Sequence, residues 1–180
     1  MGNSVAVVVL AAGASTRFGA PKQQLLLGHV LERVRAARSV NEVVVVLGAH
    51  EVETDARTVR CADWEQGPGA SLACGLAALG PEVEAAAIVL ADGPDLAPEA
   101  LDRLVEAWRE GRGEVLAASY SGIRGHPVVL GRRAWARIPP EGARALEPVL
   151  IPCDDLGSPG DVDFADDLPG RLQPDDGEQK

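Results

Sequence analysis

VVVLAAGASTRFGAPKQQLLL, residues 7–27, begins as a strand and then changes character abruptly. The apolar run from Val5 to Leu10 is rich in β-branched residues, which suits a strand covered on both faces of a parallel sheet. A loop of small residues follows from Ala11 to Lys22 and carries one arginine, Arg17, and one lysine, Lys22. Small side chains let the backbone approach a ligand, and consecutive amides form an anion-binding concavity that two cations would supplement. The spacing of Gly13, Gly19 and Lys22 is not that of GxxxxGK[ST], and no GxGxxG occurs. The ordinary alternative is a glycine-rich surface turn with solvated charges, and these residues alone leave both open.

Composition bears on that loop. The chain has 180 residues, 46% of them hydrophobic, enough for one compact domain with a core of ordinary size. Lys and Arg number 17 against 27 Asp and Glu, a formal net charge of −10 that disfavours a general nucleic-acid-binding role. The only lysines are Lys22 and Lys180, so every other basic residue is arginine. Lys22 therefore needs a reason, and a compact ammonium on a flexible stem reaches a phosphate where a broad guanidinium would not fit. Cys61, Cys74 and Cys153 form no CxxC pair and are odd in number, which reads as free thiols rather than a disulfide framework or a zinc site. No stretch reaches the roughly 18 to 20 apolar residues of a membrane span, and no signal-peptide pattern opens the chain, so a cytoplasmic protein is expected.

Working outward, Val43–Leu47 and Ala87–Ala91 repeat the short apolar pattern of the first strand. Helical spacing is expected over Val30–Arg38, Glu51–Arg57, Ala70–Leu79 and Pro98–Glu110, the last with Pro98 in its first turn and Gly111 past its end. Strand and helix alternating in this way predict a three-layer α/β/α sandwich around a Rossmann-like, mostly parallel sheet. Glu114–Leu130 reads as a β excursion at the sheet edge. The expected organisation is one domain over residues 1–170, with 171–180 as a polar, disordered tail.

Ligands of open parallel sheets bind beyond the carboxyl ends of the strands. Besides the first loop, Leu90-Ala91-Asp92-Gly93-Pro94-Asp95 lies in such a place. Asp92 at the end of a buried strand suits a hard cation bound through oxygen, or else a plain turn. A second source of carboxylates is Asp161-Val162-Asp163, although acidic segments near a C-terminus often serve only solubility.

The stretch LAAGASTRFGAPKQQLLLG resembles the LAAGxSxRxGxxKxLL signature of nucleotidyltransferases with the glycosyltransferase-A-like fold. The resemblance implies that Leu10, Ala11, Ala12 and Gly13 border the base of a nucleoside triphosphate and that Arg17 and Lys22 hold its phosphates. ADGPDL resembles the ADQPxL segment of the molybdenum cofactor cytidylyltransferase group, which makes Asp92 a Mg²⁺ ligand, with Gly93 in place of the usual Gln or Met. DVDFADDL resembles DVDTPEDL and implies a further metal ligand, Asp163 ahead of Asp161. Trp64-Glu65-Gln66-Gly67-Pro68-Gly69-Ala70-Ser71-Leu72 resembles WxxGxxxSL, which assigns Gly69 and Ser71 to the nucleotide, capping being the alternative for Ser71. Gly125-His126-Pro127-Val128 resembles a GHPV segment near the acceptor and implies a substrate role for His126. One departure is that the segment after Lys22 passes straight into the first helix, where the family has a longer turn.

The resemblance implies transfer of CMP from CTP to a phosphorylated acceptor, molybdopterin, with release of pyrophosphate. Arg17, Lys22 and Asp92 would be the catalytic groups, and the acceptor phosphate, already ionised, would need no general base. CTP is expected over GTP because Ala12 stands where the guanylyltransferases carry a second glycine. The alternatives are a non-catalytic nucleotide- or cofactor-binding accessory protein serving a molybdenum enzyme, and an NAD(P)-dependent oxidoreductase, against which the missing GxGxxG argues.

Overall fold

Val5, Val7 and Val9 face one hydrophobic core and Ala6 and Val8 another, so the first strand is sandwiched between two helical layers. In the computed structural model, which describes residues 4–13, 22–162 and 165–172, this strand is β1, Ser4–Ala11. It is followed by α1 (Lys22–Ala36), β2 (Glu42–Leu47), β3 (Arg57–Arg60), α2 (Pro68–Ala77), β4 (Val83–Leu90), α3 (Pro98–Arg109), β5 (Val115–Tyr120), β6 (Ile123–Gly131) and β7 (Val149–Pro152). The strands form one sheet in the order β3-β2-β1-β4-β6-β5-β7. Every pairing is parallel except those of β6, which runs antiparallel to both β4 and β5.

The same alternation recurs in the neighbours of β1. Val45 and Leu47 of β2, with Ala85, Ala87 and Val89 of β4, meet α1 and α3 through Val30, Val34, Leu101 and Leu104. Val44, Val46, Ala86 and Ile88 meet α2 through Leu72 and Leu76. Period-2 alternation between two apolar layers is what makes these runs continuous in sequence. The helix α2 lies close to the sheet because its Gly75 packs directly on Val8 and Val46, where a Cβ would overlap both side chains.

Four expectations are corrected. The first helix starts at Lys22, earlier than Val30, because Leu26, Leu27, Val30, Leu31 and Val34 form one buried stripe. Glu51–Arg57 is not a helix: with only Val52 buried in its first part, it runs irregularly into β3, whose β-branched Thr58 and Val59 pair along β2. The β5–β6 hairpin is not at the edge, since β6 is inserted between β4 and β5 and its Val128, Val129 and Leu130 are covered on both sides. The edge on that side is β7. Finally, Cys61 and Cys74 are not free thiols but a disulfide, with Cα atoms 5.7 Å apart, within the usual range. The crossover from β3 into α2 folds the chain back so that both residues face the α2-side core; Cys153 remains a buried free thiol.

After β7 the chain returns across the sheet's carboxyl edge. Asp95 N donates to Pro159 O (2.9 Å) and Val162 N to Asp92 O (3.1 Å). Val162 and Leu168 pack on Leu26 of α1, and Arg171 pairs with Asp95. No helix among the described residues is long and apolar enough to cross a membrane.

Candidate active site

Parallel register places Leu10 of β1 beside Leu90 of β4, so the loops that leave these strands emerge together. Ala91 N donates to Leu10 O (3.1 Å) and Ala49 N to Ala12 O (3.2 Å), which ties the first loop to the loops after β4 and β2. The Leu10 end of the Leu10–Gly13 stretch therefore lies beside the Asp92 loop, and its Ala12 end meets the loop after β2. Ala12 is buried against the α2-side core, and Gly13 is exposed. Arg17 and Asp163 fall outside the described residues, as does the side chain of Lys22. The backbone of Lys22 is the first residue of α1, a helix with no acidic residue in its first turn. Leu26, one turn on, touches Val162, whose amide bonds Asp92, so the start of α1 points to the same edge. A helix N-terminus already favours an anion through its unpaired amides and dipole, and a lysine there adds charge of the same sign.

Asp92 Oδ1 is withdrawn from solvent, and Asp161 sits immediately before Val162. Among the described residues no group of three or more His, Cys, Asp and Glu side chains could hold a metal by itself. Mg²⁺ does not need one, because it is commonly bound through one or two carboxylates with substrate phosphates and water completing its octahedron. The donor set here, Asp92 with Asp161 nearby, fits that pattern.

Gly69 and Ser71 open α2 on the other side of the first loop. Gly69 N donates to Pro140 O (3.0 Å), and a side chain at Gly69 would collide with the Pro139 and Pro140 carbonyls. The N-cap of α2 is Gly67, and no side chain caps it, so Ser71 is not a capping residue but a buried residue inside the first turn.

His126 enters from β6. It lies just past the last β4–β6 pair, Ile88–Val128, and lines the same two cavities as Leu90. Burial pushes the imidazole below its ordinary pKa, while the Ile88 carbonyl and the charge of Asp92 pull it back up. The result is a neutral ring at pH 7 within electrostatic reach of Asp92. Its Nδ1 is buried and has no hydrogen-bond partner among the described residues. Tyr120 Oη donates to the His126 carbonyl (2.8 Å).

Two cavities flank this strand. One, of about 260 Å³, lies between α2 and β6 over a floor of Leu10, Leu72, Ile88, Leu90 and Val128, with Glu141 and Arg144 on its outer side. The other, of about 300 Å³, opens towards Gly93, Pro159 and Asp161. Leu90, Arg124 and His126 line both and form the partition between them. The sequence pattern singles out His126 but not Arg124, because β6 is irregular between Arg124 and Val128 and strand alternation does not carry across it. It also passes over Glu141 and Arg144, for which no local signal exists.

Residues 7–148 match the family described as MobA-like NTP transferase domain. A curated relative, the 2-C-methyl-D-erythritol 4-phosphate cytidylyltransferase of Stenotrophomonas maltophilia (strain K279a), is 37% identical over 140 residues, 66% of this chain and 59% of that protein. The chain thus spans well under two thirds of that relative's length. Among solved structures, Rv0371c from Mycobacterium tuberculosis H37Rv superposes with a TM-score of 0.76 at 27% identity, covering 96% of this chain and 98% of that one. Its manganese complex superposes with a TM-score of 0.69 at 25% identity, covering 96% and 99%.

Proposed function

The chain belongs to the MobA-like NTP transferase family, and from that membership we propose that it transfers CMP from CTP to a phosphorylated acceptor, with molybdopterin as the acceptor. The observation that carries this reading is the convergence at one sheet edge of the Leu10–Gly13 loop, the Lys22 end of α1 and the Asp92 loop. A nucleotide base beside Leu10–Gly13 directs its triphosphate to Arg17, Lys22 and the amides that open α1. Asp92, with Asp161 or Asp163, would hold Mg²⁺, which would supply charge neutralisation along the triphosphate.

An oxygen of the acceptor phosphate forms a bond to the α-phosphorus in line with the bond that breaks, and pyrophosphate leaves with the electron pair. The protein moves no proton in this step, because the nucleophile is already an anion. Its residues align the two phosphates and offset their repulsion, the contributions that dominate phosphoryl transfer. The buried, neutral His126 places a ring nitrogen beside the attacking group without adding a charge.

The aliphatic floor of the cavity under α2 supports a ring-bearing acceptor. Leu72, Ile88 and Val128 give a ring an apolar surface to lie on, and His126, Arg124, Glu141 and Arg144 of the same cavity offer partners to its polar edge. A second reading, with 2-C-methyl-D-erythritol 4-phosphate as the acceptor, is favoured by the 37% identity to the cytidylyltransferase that carries that name. Pyrophosphate release from CTP and Mg²⁺ with each acceptor in turn separates the two. Release with neither acceptor, while CTP still binds, would leave the accessory-protein alternative, in which a bound cofactor is handed to a molybdenum enzyme.

A further inference from the structure

We infer that Arg124 is a positioning residue that holds residues 143–146, of which Ala143 and Arg144 wall the cavity under α2, and so governs binding of the acceptor at the β6 end of that cavity rather than of the nucleotide at its Leu10 end. The inference rests on the transfer reaction proposed above.

Arg124 lines the same two cavities as His126, and its guanidinium fork reaches out of the sheet to three backbone carbonyls. Nη1 donates to Leu146 O (2.8 Å) and Arg144 O (3.0 Å), and Nη2 donates to Ala143 O (2.8 Å). Ala143–Ala145 is a single 3-10 turn between β6 and β7, with no strand ladder to fix it. Burial lowers the pKa of the guanidinium, as expected for a cation moved from water onto neutral carbonyls, and Glu147 opposes that shift.

The opposite end of the same segment is held differently. Gly69 N bonds Pro140 O, and the missing side chain at Gly69 lets the Pro139–Pro140 backbone lie against the start of α2. The stretch 139–146 thus bridges the helix assigned to the nucleotide and the strand assigned to the acceptor, and Glu141 and Arg144 line the cavity between its anchors. One anchor is backbone on backbone. The other joins the packing of Ala143 and Leu146 on the α2-side core to one side chain, whose planar fork matches three carbonyls at fixed angles, which a lysine cannot reproduce. Loss of that fork frees the segment at its β6 end, while Gly69 N still holds Pro140 O at the other end and Leu10 and Ala12 keep their bonds to Ala91 and Ala49.

Arg124→Gln and Arg124→Lys, compared with the wild type, test this. Amide hydrogen exchange over residues 143–146 should quicken about tenfold in both variants. The thermal upshift caused by CTP with Mg²⁺ should not change. With molybdopterin or 2-C-methyl-D-erythritol 4-phosphate as the acceptor probe, the KM for the acceptor should rise about tenfold, while kcat and the KM for CTP stay within about twofold. Unchanged exchange in Arg124→Gln, wild-type behaviour of Arg124→Lys, or equal changes in both KM values would overturn the inference. A wild-type protein that releases no pyrophosphate with either probe overturns the transfer reading instead; the exchange measurement then still decides whether Arg124 holds the wall.

Discussion

The hydroxyl of Tyr120 donates to the backbone carbonyl of His126 at 2.8 Å, so the chain's only tyrosine fixes the strand that carries the imidazole between the two cavities. Arg124 does the same for the cavity wall from the same strand. The two contacts make β6, the antiparallel strand of an otherwise parallel sheet, the element that organises the partition between the two cavities.

Burial pushes Tyr120 from its ordinary 10.0 up to about 12. A folded-state value above the unfolded one means that the native protein binds this proton more tightly. The associated stability is complete below pH 10 and is lost as pH rises through 10 towards 12. Ultraviolet absorbance should show no tyrosinate in the native protein at pH 10, where about half of the denatured chain's tyrosine is ionised. Native ionisation at pH 10 would contradict the burial. Tyr120→Phe should cost about 1 kcal/mol in denaturant unfolding, the net worth of one hydrogen bond.

Asp92→Asn keeps the shape of the carboxylate and removes its charge. Turnover should fall by about 10²- to 10³-fold at ordinary Mg²⁺, the scale of losing one electrostatic contact to a transition state. The melting curve should be retained. Near-normal pyrophosphate release by a folded variant would remove Asp92 from the metal site.

Lys22→Ala should lower kcat/KM by an amount equivalent to ~2.7 to 4 kcal/mol of transition-state stabilisation. Lys22→Arg should recover only part of this, because at the first residue of α1 the longer, planar fork meets a phosphate at a different reach. Steady-state kinetics with varied CTP decides it, and full recovery by arginine would mean that charge alone matters there.

Ala12 packs its methyl group against the α2-side core beside the expected base. A methylene-sized difference discriminates by ~1 to 3 kcal/mol, so CTP should be preferred to GTP by about 10- to 200-fold, and Ala12→Gly should narrow the gap. Competition between equal CTP and GTP measures the ratio, and equal use of GTP would refute the preference.

The Cys61–Cys74 bridge closes a loop with a sequence separation of 13. A loop of this size stabilises by about 3 kcal/mol through the chain entropy it removes from the unfolded state. The double variant Cys61→Ala, Cys74→Ala should therefore lower the urea midpoint, and a reductant should lower the wild type's but not the variant's. Alkylation of the denatured, unreduced protein should label Cys153 alone. Labelling of all three cysteines would mean the bridge does not form.

What the sequence by itself determined is whatever a short window of chain can encode. The valine runs of β1 and β2 and the Ala87–Val89 run of β4 are continuous because both faces are covered, and such a pattern is read without knowing the partner. The loops at their carboxyl ends, with Ala12, Lys22 and Asp92, inherit their location from the parallel arrangement that those runs imply. Tertiary structure alone decided the rest. β7 is four residues of Val149–Pro152 and acquires its place from the β5 edge it pairs with. Cys61 and Cys74 meet because the β3–α2 crossover folds back, and Asp161 reaches the Asp92 loop because Val162 bonds its backbone. Arg124 finds its carbonyls about twenty residues further along the chain. Periodicity is a property of neighbours in sequence. These contacts join residues whose approach depends on how the layers pack, so nothing in either local segment announces the other.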